Sequence, residues 1–389
     1  MSFSRVRSFL LAGALVASAA PVALGGVAAP AAADTTVTIV GNGYGHGHGL
    51  SQWGAELQAR DGRGTNTILR FYYPGTGRGK IGGKVTVRIT ADTGNDLVVS
   101  PRSHLKVRSL GDGRRWDLDR ANARAWRLKP ARNGNRTEIA FKTRTRWKVW
   151  RTVKGEAEIS AGGRPVQLRT EQGGAVRYRG SLRSARPSDR SKRRDTVNVV
   201  SLESYLRGVV PREVPASWKP AAVQAQAIAA RTYAAYERAR PLAPHYQICD
   251  TTSCQVYGGA DSEHPASDRA IRRTAKKVLL SGGEPAFTQF SASNGGWASQ
   301  GAFDYLPAQR DRWDTAYRGW RVEITSADAD EAFGVGRLQG VDVLSRDGNG
   351  PWGGRATQVR VRGSADTVTM SAEDFRYLLG LRSTLFDVR

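Results

Sequence analysis

Cysteine, methionine and histidine are scarce in this chain of 389 residues, which has two Cys, two Met and five His. Two thiols cannot build a disulfide-stapled scaffold or a multi-cysteine metal cluster, so a packed apolar core has to hold the fold. After the first thirty or so residues no apolar run is long enough for a membrane-spanning helix. Acidic residues are also few: 35 Asp and Glu face 59 Lys and Arg, a formal net charge of +24. That excess implies an anionic partner, whether nucleic acid, a membrane surface or an acidic cell wall. No repeat of solenoid period is present. What is plentiful is apolar and aromatic: 40% of residues are hydrophobic, with ten Trp and twelve Tyr, which excludes global disorder. The length suits one large domain with an insertion, or two fused domains.

The N-terminus narrows the choice of partner. Arg5 and Arg7 precede an apolar run from Phe9 to Ala20, and Ala31, Ala32 and Ala33 supply small residues before Asp34. This is the layout of a secretory signal peptide over residues 1–33, with the exported chain starting near Asp34. Glycines and prolines interrupt the stretch, which weighs against a permanent anchor. Losing Arg5 and Arg7 barely dents the positive charge, so the basicity belongs to an exported protein. An anionic envelope polymer is then the natural counter-charge and nucleic acid is not, since no nucleic-acid-binding motif is present.

The two cysteines, Cys249 and Cys254, lie in the segment His245-Tyr-Gln-Ile-Cys-Asp-Thr-Thr-Ser-Cys254. In an oxidising compartment they read as one short-loop disulfide; the alternative is a zinc site with His245 as a third ligand.

Charge is concentrated in one quarter of the chain. Residues 101–195 hold 27 Lys and Arg against 9 Asp and Glu, a net of +18. Within it, Phe141-Lys-Thr-Arg-Thr-Arg-Trp-Lys-Val149 alternates, so a single strand would put Lys142, Arg144, Arg146 and Lys148 on one face, spaced over ~20 Å to track an extended polyanion. Lys84–Thr90 and Ala157–Ser160 read as further strands between glycine-rich turns. Residues 81–195 are therefore expected to form a β-rich basic region, ending in the loop Arg186–Arg194.

Beyond that loop, Thr196–Val200 reads as a strand and Ser201 as the cap of a short helix starting at Leu202. Pro211 and Pro215 bracket Glu213, which predicts a stiffened turn that aims this carboxylate into a cleft. A longer helix follows from Pro220 to about Arg238, with Val223, Ala227, Ala230 and Ala234 on one side. Two glycine-rich segments look like the walls of a site. Gly41-Asn-Gly-Tyr-Gly-His-Gly-His-Gly49, followed by Ser51, Gln52 and Trp53, suits close backbone approach to a ligand; Phe290-Ser-Ala-Ser-Asn-Gly-Gly-Trp297 again sets polar side chains on a glycine turn. Hydroxyl, amide and aromatic groups of this kind bind sugars. His46 and His48, at a spacing of two, lack the acidic or cysteine partners that a metal site wants.

Six motifs together resemble the SpoIID/LytB family: Gly45-His-Gly-His-Gly-Leu-Ser-Gln-Trp-Gly-Ala55, Val209-Val-Pro-Arg-Glu-Val-Pro-Ala-Ser-Trp218, Ala225-Gln-Ala-Ile-Ala-Ala-Arg-Thr-Tyr233, Cys254-Gln-Val-Tyr-Gly258, Ser291-Ala-Ser-Asn-Gly-Gly296 and Leu379-Gly-Leu-Arg-Ser-Thr-Leu-Phe386. The resemblance implies an α+β fold: a SpoIID-like catalytic region at 196–389, completed by the Gly-His segment at 34–80, with the basic region 81–195 inserted. It implies a secreted lytic transglycosylase acting on peptidoglycan glycan strands, with Glu213 catalytic and no cofactor. His46, Ser51, Gln52, Ser291, Ser293 and Asn294 become the candidate sugar ligands. Two features depart from the family. The Gly-His motif stands at the N-terminus instead of following the Leu-Gly-Leu-Arg motif, as if the order were circularly permuted, which predicts that the strand at 36–40 lies near 385–388. Where zinc-containing relatives place His before the second Cys, this chain has Ser253, which favours the disulfide over a metal. Some relatives enhance an amidase, so a non-catalytic wall-binding protein with an amidase partner is the competing expectation.

Overall fold

The computed structural model describes residues 35–132 and 134–389; the expected signal peptide lies outside them. The fold is α+β. Alternation of apolar and polar residues builds two antiparallel sheets that share one core. The first has seven strands in the order 248–249, 84–88, 195–201, 181–185, 157–160, 106–109, 115–117, with 248–249 parallel to its neighbour. The second has six, in the order 147–154, 136–142, 125–130, 97–99, 166–169, 175–178. Val85, Val87, Val107, Ile159 and Leu182 from the first face Val99, Trp126, Leu128, Ile139 and Leu168 from the second, all essentially without solvent exposure. Burying each such side chain contributes ~1.5–3 kcal/mol.

The boundary expected at 195/196 falls at the start of the strand Asp195–Ser201, which pairs with Lys84–Arg88 on one side and Ser181–Ala185 on the other. The basic region and the helical part therefore share a sheet, and the same core continues into the helices.

Among the described residues the helices are α1 (Gln52–Arg60), α2 (Thr65–Tyr72), α3 (Leu202–Glu213), α4 (Pro220–Ala239), α5 (Pro265–Arg273), α6 (Ser326–Phe333) and α7 (Ala372–Leu378). Helix α4 is apolar around most of its surface because it is packed on both sides. Val223, Ala227, Ala230 and Ala234 join the core of the two sheets. Ala222, Ala225, Ile228 and Ala229 pack on Leu50, Ala55, Ile68 and Leu69 from the α1–α2 side. Its small side chains let both neighbours approach closely.

The first strand of the described residues meets the last. Val37–Gly41 pairs antiparallel with Phe386–Val388, with Ile39 opposite Val388 and Gly41 opposite Phe386, the proximity that the motif order predicts. This strand is central in a three-stranded sheet with Trp320–Ile324, and its Ile39 packs with Phe375 and Phe386 in a separate C-terminal core.

The strand expected at 141–149 is not formed as such. Residues 141–149 are not a single strand: Arg136–Lys142 and Trp147–Lys154 form a hairpin, and the turn between them is closed by Thr143 N–H donating to the Arg146 carbonyl at 2.9 Å. Lys142 pairs with Trp147 and Lys148 with Phe141. Directly opposed residues share a face, so Lys142 and Lys148 are on opposite faces and the four cations make no common stripe. The Thr-Arg-Thr-Arg stretch mimics strand alternation, but Thr143 Oγ also bonds the Arg146 carbonyl, at 3.0 Å, and turns the chain.

Candidate active site

Helix α3 carries Glu213, and its ends explain how. Ser201 caps the start, its Oγ accepting from Ser204 N–H at 3.2 Å. The helix then continues through Pro211 to Glu213. The carboxylate thus sits in the last helical turn and not on a turn between the two prolines. Proline's φ of about −65° is itself helical, and the ring is tolerated once burial of Val209 and Val210 anchors the turn. Only Pro215 acts as expected: Val214 before it is extended (φ −136°, ψ 146°) and ends the helix. Arg231 of α4, fully buried, holds α3 in place with two bonds to Glu203, Nε–Oε1 at 2.8 Å and Nη2–Oε2 at 2.9 Å.

Glu213 is half-buried and accepts two hydrogen bonds. Gln52 Nε2 donates to its Oε2 at 3.1 Å, and the backbone N–H of Val256 to its Oε1 at 3.2 Å. Burial raises its pKa, and the Gln52 and Val256 bonds with nearby Arg212 offset part of that rise. The cleft in front of it, about 350 Å³, is lined by Tyr44, His46, Gln52, Tyr233, Ser291 and the loop 252–256. Glu213 is the one carboxyl group in that lining.

The Gly-His segment forms one wall. Gly45 has φ +97°, and a Cβ there would meet Ser291 Cβ at 2.8 Å; Gly47 has φ +77°, and its Cβ would lie 2.1 Å from Arg355 Nη2. Only glycine fits at either position. The close approach lets Gly47 N–H donate to Ser291 Oγ at 3.2 Å. His46 Nδ1 accepts from His48 N–H at 2.9 Å. Burial first, then His48 and Arg355, push the His46 pKa down to about 3, so it is a neutral imidazole at ordinary pH. Tyr44, 46% exposed, stands at the mouth and meets Tyr317 edge-on at 5.4 Å.

Of the six expected sugar ligands, His46, Gln52 and Ser291 line the cleft with Glu213. Ser51, Ser293 and Asn294 do not: none has more than trace exposure, and all three are tied to two buried aspartates beneath it. Ser51 Oγ donates to Asp314 Oδ2 at 2.7 Å and caps α1 by accepting from Gly54 N–H at 3.0 Å. Ser293 Oγ donates to Asp314 at 2.9 Å, and Asn294 Nδ2 to Asp311 Oδ2 at 2.9 Å. Burial raises the Asp314 pKa, with neighbouring Asp311 adding to it and these donors opposing it. The network fixes Ser51, hence the start of α1, hence Gln52 at the carboxylate.

Cys249 and Cys254 are joined by a disulfide, and Thr252, Ser253 and Cys254 form the wall facing the Gly-His segment. His245 is turned away to Asp195, with Nε2 2.7 Å from Oδ2. Sequence reasoning missed Val256, because a backbone N–H leaves no residue signature. It also missed Asp311 and Asp314, whose partners are remote in sequence.

Residues 190–280 match the family described as SpoIID: Stage II sporulation protein. Among curated proteins, the chain is 35% identical over 133 residues to an amidase enhancer of Bacillus subtilis, covering 32% of this chain and 17% of that protein. It is 30% identical over 207 residues to an uncharacterized protein of Brachyspira hyodysenteriae, covering 48% of this chain and 52% of that one. It is 27% identical over 216 residues to stage II sporulation protein D of Bacillus subtilis, covering 49% and 61%. The chain thus spans less than two thirds of the length of each. The matched stretch runs from the loop before α3, through Glu213, past the disulfide loop, and over these residues the chain is similar to the SpoIID family.

Proposed function

We propose that this protein is an exported lytic transglycosylase that cleaves the bond between N-acetylmuramic acid and N-acetylglucosamine in peptidoglycan. The observation that carries the reading is one carboxyl of raised pKa, at the end of a buried helix, in a cleft walled by glycine backbone, amide, hydroxyl and aromatic groups. Ordinary glycosidases need a second carboxylate as nucleophile or base. This reaction does not, because the nucleophile is the substrate's own C6 hydroxyl. Glu213, protonated, gives its proton to the glycosidic oxygen as the C1–O bond breaks; as carboxylate, it then takes the C6 hydroxyl proton while O6 closes on C1. The product is a 1,6-anhydro end and the enzyme returns to its starting state. The raised pKa keeps the acid form populated to higher pH, and the Gln52 amide holds the carboxyl in one orientation through both steps. His46, neutral, and Ser291 offer hydrogen bonds to the sugars.

The amidase enhancer among the relatives favours a second reading, a wall-binding protein that acts through an amidase. The two part at Glu213. Mass spectrometry of purified glycan strands, with and without stem peptides, after incubation with the chain and with Glu213→Gln decides between them. Anhydro ends from the unsubstituted chain alone support the enzyme. Binding without cleavage of either substrate replaces it with the enhancer.

A further inference from the structure

The outer face of the seven-stranded sheet carries an unbalanced row of charge that the cleft chemistry does not use. Period two turns Val107, Ala157, Ile159 and Leu182 inward and leaves Lys106, Arg108, Glu158, Ser160, Ser181 and Arg183 outward. The register puts Arg108 directly opposite Arg115. Like charges so placed destabilise a sheet. The one acid lining the depression, Glu158, is on the strand beside Arg108 and away from Arg115; it lies 3.7 Å from Arg108 and 3.3 Å from Arg183, so it is already shared, while Lys106 is paired with Asp117 at 3.4 Å. Arg179 is engaged by Glu263. Among the described residues, Lys84 and Arg115 have no acidic partner. The depression holds about 470 Å³ and adds the hydroxyls of Ser160, Ser181, Ser201 and Ser204.

We propose that this groove binds a phosphodiester-linked polyol polymer. From the strand Lys84–Arg88 to the strand Arg115–Asp117 the sheet crosses five strand spacings, ~24 Å, which suits a repeating chain better than one small anion. Tetrahedral phosphate accepts from forked guanidinium and hydroxyl donors together, and the groove interleaves the two. No aromatic residue lines it, so nucleic-acid bases would find no surface to stack on. Its relation to the cleft is set by α3. Ser204 lines the groove and Glu213 the cleft; nine residues separate them, two and a half helical turns, so they face opposite sides. A polymer held in the groove tethers the protein and leaves the cleft open, whatever Glu213 catalyses.

The test is fluorescence anisotropy of labelled poly(glycerol phosphate) with the chain from Asp34 onward. Arg108→Ser with Arg115→Ser is expected to weaken binding at least tenfold and to lower the slope of log affinity against log salt by about two. Arg144→Ser with Arg146→Ser, the same charge loss at the hairpin tip of the other sheet, is expected to change it less than twofold. Polyglutamate and single-stranded DNA of equal charge should compete only at more than tenfold higher concentration. Equal loss in both double variants, no loss in the first, or competition on equal terms overturns the proposal. If circular dichroism shows the first variant unfolded, Lys84→Gln with Arg115→Gln replaces it under the same criteria.

Discussion

Helix α3 joins two regions in which charge works in opposite ways. At its C-terminal end a single carboxylate is withdrawn from water, given two hydrogen bonds and left without a second carboxyl in its cleft. Near its N-terminal end, several cations stand on an open sheet face, Lys106 and Arg108 among them about half in solvent. Withdrawal makes one charge chemically decisive, because burial changes its proton affinity directly. Exposure makes each cation weak alone and useful only in number, since water and salt screen it. Charge density along the sequence thus points at most to a cationic face, whereas the buried carboxylate sits where the charge count is unremarkable.

The strongest way to break this comparison is Glu213→Gln. Cleavage should fall about 10³-fold while glycan binding, measured by calorimetry, stays put; undiminished cleavage would remove the cleft's special status. The same variant tests burial. A raised folded-state pKa means stability is fully present below the ordinary glutamate range and is lost as pH rises through the folded value. Glu213→Gln should therefore melt above the unsubstituted chain at pH 7, with the gap closing towards pH 4. Next in size is Trp126→Ala, inside the core of the two sheets, which should cost about 3–5 kcal/mol in denaturant unfolding. A small effect would mean that the basic region is not held by its core. Replacing Cys249 and Cys254 by Ser opens a short loop and should cost about 2 kcal/mol in thermal unfolding, with lower activity because Val256, which donates to Glu213, lies two residues past Cys254. Gln52→Leu sharpens the cleft side: losing a bond worth about 1 kcal/mol should slow cleavage roughly fivefold. It also removes a contact that lowers the Glu213 pKa, so the fall of activity with rising pH should move to higher pH. The smallest effect belongs to the edge strand of the other sheet, where replacing exposed Lys148 by Ser should stay within about 0.5 kcal/mol in stability.

Much of the local structure was legible. Ser201 as a cap, Pro220 opening α4 and the apolar side of that helix follow from backbone chemistry that a short window of residues contains. The pairing of the strands at 37–41 and 386–388 was legible from motif order. The hairpin at 143–146 was not, because alternation reads the same whether a chain runs straight or turns back. Glu213's place at the end of a helix was missed for a related reason: proline forbids some conformations locally, but core packing of Val209 and Val210 settles which allowed one is taken. His46, Gln52 and Ser291, chosen by residue type, line the cleft, yet Ser51, Ser293 and Asn294 share those types and bond the buried aspartates beneath it.

Sequence alone determined several local elements such as the Ser201 cap and the helix opening at Pro220, the concentration of cations in 101–195, the glycine-rich walls, and the family likeness that nominates Glu213. These depend on residue identity and spacing along the chain. Tertiary structure decided what surrounds the carboxylate and which cations share a face. Gln52 lies 161 residues from Glu213, and Arg108 meets Arg115 only through strand pairing. Burial and register are properties of packed neighbours, and proton affinity and charge density follow from them.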